Sequence, residues 1–150
     1  VISISNGMNK KIIIANWKMN PSTEKEAIRI AKASDFKDVI IVVPYVFMST
    51  VKKVLKKASL ASQDVFWEKE GAYTGEVSPL MLKNMGIKYT IIGHSEKRNP
   101  LAGVGDTDEI VNKKVKAALK FNLIPILHHS GDRERIQLSI GDNGMTSTGS

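Results

Sequence analysis

Tyr89-Thr90-Ile91-Ile92-Gly93-His94-Ser95-Glu96-Lys97-Arg98 passes within a few residues from an apolar run to a dense set of ionisable groups, with a glycine at the junction. Four residues with no polar alternation read as a short strand buried on both faces, the pattern of a parallel sheet covered by helices. In such folds the loops just past the strand C-termini form the functional face. Working outward, the same unit recurs: β-branched runs over 12–14, 39–43, 60–65 and 123–127 read as further strands. Helix-period segments separate them. Ser22 and Thr23 are placed to cap a helix reaching residue 33, and Ser49 and Thr50 one reaching residue 57. Ser78-Pro79 starts a shorter helix that Gly86 stops. Asp106-Thr107-Asp108-Glu109 opens one through residue 121, with Ile110, Val111, Val115, Ala118 and Leu119 on one face and lysines elsewhere. The β-α-β-α-β-α-β-α-β order predicts an α/β architecture with parallel strands. Periodicity alone leaves an open doubly wound sheet and part of a barrel both standing. Neither nucleotide-binding glycine signature, G-x-G-x-x-G or G-x-x-x-x-G-K-[ST], occurs.

The 150 residues suffice for one domain with a real core, but a complete (β/α)8 barrel takes roughly 250. The formal charge is +7, and much of the excess sits on predicted helices as Lys52, Lys53, Lys56, Lys57, Lys113, Lys114, Lys116 and Lys120. These lysines have no aromatic interleaving, so a solvated helix face is expected and not a nucleic-acid surface. No apolar stretch is long enough to span a bilayer, and the N-terminal segment does not read as a secretory signal. Met8 is read as a start with an extension before it. Without cysteine, a thiolate metal site or a disulfide framework cannot form. His128-His129 invites a metal reading, but adjacent strand residues face opposite ways, so no metal is expected.

Three stretches at strand ends carry candidate chemistry. Asn16 and Lys18 set an amide and a cation just past the first strand. Residues 70–79 form a polar loop with Gly71 and Gly75. His94, Ser95 and Glu96 follow the fourth strand. A cation, an imidazole and a carboxylate on one rim are equipped to bind an anionic substrate and handle a proton.

Ala15-Asn16-Trp17-Lys18-Met19-Asn20, Gly71-Ala72-Tyr73-Thr74-Gly75-Glu76-Val77-Ser78, Ile92-Gly93-His94-Ser95-Glu96-Lys97-Arg98 and Asp106-Thr107-Asp108-Glu109 resemble triosephosphate isomerase, in order and on the expected elements. The resemblance covers about residues 10–127. It implies a partial TIM (β/α)8 barrel, strands one to five with four connecting helices, followed by an irregular tail. It also implies the interconversion of dihydroxyacetone phosphate and glyceraldehyde 3-phosphate in glycolysis, without cofactor or metal, in the cytoplasm. Carried over by position, His94, Lys18 and Glu96 are the catalytic set and Asn16 and Lys18 the substrate contacts, with Ser95 in support. Lys18 would supply positive charge, and His94 would polarise the carbonyl; the family is itself a standard example of a neutral imidazole in that role. The loop at Tyr73, Thr74 and Gly75 would reach a second subunit, which implies a homodimer for the complete enzyme.

The tail departs from the resemblance. After Pro125-Ile126-Leu127 the family pattern leads to Cys, a small residue, Gly-Glu and a helix, whereas this chain continues His128-His129-Ser130-Gly131-Asp132-Arg133-Glu134-Arg135. Residues 128–150 are therefore expected to lie outside the family. Ile136, Leu138 and Ile140 make at most one weak strand, and the end is expected to be disordered. The glutamate base, the lid and the glycine-rich phosphate site have no counterpart in the sequence. The chain alone is expected to be nearly inactive, with two unpaired sheet edges. The alternative reading is an inactive truncated or frameshifted fragment with only self-association or residual anion binding.

Overall fold

The computed structural model describes residues 2–6, 10–101, 103–129 and 135–138. Their elements run β1 (Ile2–Asn6), β2 (Lys10–Asn16), α1 (Glu24–Ala33), β3 (Val39–Val43), α2 (Tyr45–Val54), β4 (Ser59–Ser62), α3 (Pro79–Asn84), β5 (Tyr89–Ile92), α4 (Ser95–Arg98), α5 (Asp108–Lys120), β6 (Ile124–His129) and β7 (Arg135–Leu138). The strands lie in one sheet in strict chain order. From β2 to β6 each neighbour is parallel. A doubly wound sheet reverses its order at a switch point and carries helices on both faces. Neither holds here, and the five parallel strands curl as half of a (β/α)8 barrel.

Strand alternation divides the core into two layers. Ile41, Val43, Leu60 and Ile92 point outward and pack with Ala27 and Ala31 of α1, Met48 and Val51 of α2, Leu82 of α3 and Ala118 of α5. Ile14, Ile40, Val42, Ala61, Ile91 and Ile126 point the other way into a layer built from strands alone, flanked by Ile12 and Tyr89. That second layer is the barrel interior.

Several elements differ from expectation. α2 starts at Tyr45, after Pro44, and ends at Val54. Proline fits a helix start because the missing N–H costs nothing there. Thr50 is therefore inside α2, where its hydroxyl bonds Glu24 of α1. β4 stops at Ser62, which leaves Gln63 and Asp64 beyond its end. A one-turn helix, α4, follows His94 directly. Thr23, Ser78 and Thr107 cap α1, α3 and α5 as read, each side-chain oxygen accepting a backbone N–H.

The two edges of the parallel sheet are paired, against expectation. β1 runs antiparallel on β2, from the stretch read only as an extension, and β7 runs antiparallel on β6. The weak strand expected near Ile136 and Leu138 is β7. Ile140, the expected disordered end and Met8 lie outside the described residues.

Candidate active site

Gly93 turns the chain out of β5 with φ +73, a left-handed conformation that disfavours any side chain. A Cβ there would also sit 3.4 Å from the carbonyl oxygen of His128 and 3.3 Å from Nε of Arg98. The turn delivers His94 to the N-cap of α4, where its Nδ1 accepts the backbone N–H of Glu96 at 3.2 Å. An accepting Nδ1 carries no proton, so the neutral ring presents its N–H at Nε2. The His94 side chain is 13 % exposed.

On the facing side of the rim, β2 ends at Asn16, whose Oδ1 accepts the backbone N–H of Lys18 at 2.9 Å. This bond folds the chain so tightly that Lys18 adopts φ +55, a conformation costing a side-chain-bearing residue about 1–2 kcal/mol. Gln63 holds the same turn from β4: its amide N–H groups donate to Lys18 O at 2.5 Å and Asn16 Oδ1 at 3.4 Å. The Lys18 ammonium then meets Glu96 Oε1 at 2.5 Å across the rim. That hydrogen bond from Lys18 holds the Glu96 carboxyl below its ordinary value, with the positive charge of Lys18 adding to it and burial opposing.

Asn16, Lys18, Gln63, His94 and Glu96 line one cavity of about 270 Å³, together with Met19, Tyr45, Asp64 and Lys97. The structure thus brings together the residues read from the first and fourth strand ends. Glu96 pairs with Lys18, and Arg98 binds Asp108 at 2.6 Å. The 70–79 loop is elsewhere and not among the lining residues. Tyr73 is 45 % exposed there, with its ring 4.8 Å from that of Phe66.

Beneath this rim lies a cluster that sequence reading missed. Lys114 of α5, expected on a solvated helix face, is buried, its side chain 4 % exposed. It donates to both oxygens of Asp64 at 2.9–3.0 Å and to Asp106 Oδ2 at 2.5 Å. Lys97 reaches Asp64 from α4 at 3.3 Å. Burial pulls the Lys97 ammonium down, but Asp64 outweighs it and leaves it raised above its ordinary value. The signal was present in helical spacing: Lys114 falls four residues after Ile110 and four before Ala118, on the buried face. Gln63 and Asp64 fall inside the apolar run over 60–65, which hides them in the sequence; with β4 ending at Ser62 they obey the strand-end rule. His128, which the sequence offers only as a metal candidate, is buried at the end of β6 with its ring centroid 4.6 Å from that of His94.

The family model for triosephosphate isomerase matches residues 11–135. The triosephosphate isomerase of Dictyoglomus thermophilum is 46% identical over 127 residues, covering 79% of this chain and 50% of that protein. That of Thermoanaerobacter sp. strain X514 is 47% identical over 128 residues, covering 80% and 50%. That of Citrifermentans bemidjiense is 44% identical over 163 residues, covering 94% and 62%. The chain thus spans about half the length of most of these relatives.

Proposed function

The chain belongs to the triosephosphate isomerase family, and on that premise we propose that its rim is one side of a site for the interconversion of dihydroxyacetone phosphate and glyceraldehyde 3-phosphate. The observation that carries this reading is the convergence of Lys18, His94 and Glu96 on one cavity with Asn16 and Gln63 behind them. Each residue has a physical task. Lys18 supplies a cation for the phosphate-bearing substrate and for the oxyanion that grows as the carbon-bound proton leaves. Asn16 and Gln63 keep its backbone in the turn that aims it. His94, with Nδ1 occupied by the Glu96 N–H, offers Nε2–H to the carbonyl oxygen as a neutral donor. Ser95 supports the one-turn helix, since its carbonyl accepts the N–H of Asn99 at 2.8 Å. Glu96 balances Lys18 when no substrate is bound.

Glu96 is poorly suited to be the base that takes the carbon-bound proton. A general base works best with its pKa near the operating pH, and the bond from Lys18 moves Glu96 the other way. The 150-residue polypeptide by itself therefore turns over triose phosphate negligibly. Full activity requires a carboxylate from outside the described rim. The exposed loop at Tyr73, Thr74 and Gly75 is the contact for a second copy in a complete homodimeric enzyme, and a glycolytic role goes with a cytoplasmic location. Among the described residues the other carboxylate lining the cavity, Asp64, is held by Lys114 and Lys97, which also favours the second reading, a non-catalytic chain that keeps anion binding.

The test is a turnover assay in a preparation free of host isomerase, with and without a polypeptide supplying the second half of a relative. Negligible turnover alone, turnover on addition, and its loss with His94→Gln are expected. Full turnover by the chain alone overturns the assignment of a missing base. Rescue that persists in His94→Gln overturns the role given to His94.

A further inference from the structure

Two imidazoles meet at the rim, and the proposed reaction uses one. His94 comes from the end of β5 and His128 from the end of β6, with ring centroids 4.6 Å apart and planes inclined by 32°. This is the spacing of rings in direct contact. His128 is 7 % exposed, and its Nδ1 has no hydrogen-bond partner among the described residues. A buried polar atom left unpaired is unfavourable, so its presence calls for a role. His128 is also an ionisable ring at a place where an apolar side chain would fill the same space.

We propose that His128 is a positioning residue for His94: its buried ring packs against the His94 imidazole and fixes its plane, which keeps Nδ1 on the Glu96 N–H and leaves Nε2–H for the cavity. The backbone beside the contact is held independently, since Arg98 donates to the Gly93 carbonyl and is itself bound by Asp108. The His94 ring, joined to its own loop by a 3.2 Å bond, takes further support from the ring of His128.

The inference depends on the electrophile reading of His94 for its meaning. Its test reads the ring tautomer directly and so stays answerable if no isomerase activity is found. The 150-residue chain is labelled with nitrogen-15, and long-range proton–nitrogen correlations of His94 are recorded at about pH 8, above the ordinary histidine range. His94 should be the Nε2–H tautomer. His128→Phe keeps a ring in place, so the tautomer should persist. His128→Ala removes the ring, and the tautomers of His94 should mix. A His94 tautomer unchanged in His128→Ala, or lost in His128→Phe, overturns the positioning.

Discussion

Lys18 and Lys114 each hold a carboxylate at 2.5 Å, yet the two pairs have opposite surroundings. The side chains of Lys18 and Glu96 are 54 % and 59 % exposed, whereas those of Lys114 and Asp106 are 4 % and 12 % exposed. Water competes for the first pair and not for the second. The same contact is therefore a loose, exchangeable latch at the rim and a fixed tie beneath it. The tie joins α5 to Asp64, next to Gln63 past the end of β4, and to Asp106 in the segment that leads into α5. The latch lies in the cavity, where an anionic ligand displaces a weak bond at little cost.

The contrast is broken most severely at the buried end. Lys114→Ala leaves the Asp106 carboxylate without its cation and Asp64 with Lys97 alone, and should cost about 3–5 kcal/mol, read as a fall in the denaturant midpoint. Replacing Lys114, Asp64 and Asp106 together with Met, Leu and Leu should recover most of that loss, because the three buried charges go together and Lys97, half exposed, keeps its water. If the triple variant is no more stable than Lys114→Ala, burial is not the distinguishing feature. At the exposed end, Lys18→Gly should be more stable than Lys18→Ala by about 1 kcal/mol, since glycine relieves the left-handed backbone. Equal midpoints for these two variants would remove strain from the description of the rim, and the ion pair itself should account for no more than about 1 kcal/mol.

The smallest effect is on acid stability. Asp35 accepts the backbone N–H groups of Ala58, Lys57 and Lys56 at 2.7–2.9 Å, and these bonds hold its carboxyl below the ordinary value, Ala58 contributing most. Glu96 is lowered in the same direction by Lys18. For a carboxylate depressed in the folded state, the stabilising contribution is present above the unfolded value and is lost as pH falls through the folded one. Stability should therefore decline below about pH 4, the ordinary carboxylate range, with a shallower decline in Asp35→Asn and Glu96→Gln. High salt should erase the Glu96 share and spare that of Asp35, whose partners are backbone amides. Denaturant midpoints measured across pH, at low and high salt, separate the two.

Legibility in the sequence followed how local each signal was. The strands, three helix caps and the strand-end residues Asn16, Lys18, His94 and Glu96 depend on neighbours a few positions apart, and they were readable. Lys114 pairs with Asp64, 50 residues away, so helical spacing marks its face but not its partner. The pairing of Lys18 with Glu96 spans 78 residues, and strand-end position brings the two only to the same rim. The contact of His94 with His128 requires the register of β5 on β6, in which Ile92 faces Leu127. α2 was started late because Pro44 is a weaker mark of a helix start than a serine or threonine, and Thr50 supplied a false one.

β1 and β7 lend a last consequence to the sheet they border. Both run antiparallel to their neighbours, so they occupy the same rows of backbone donors and acceptors that another parallel strand would need beside β2 or β6. Closing the barrel is therefore a strand exchange and not a simple addition: an incoming segment has to strip an existing ladder while forming its own. Because hydrogen bonds are lost nearly as fast as they are made, the exchange carries little net driving force from the backbone. It must be drawn instead by the side chains that cover the interior layer of Ile14, Ile40, Val42 and Ile126.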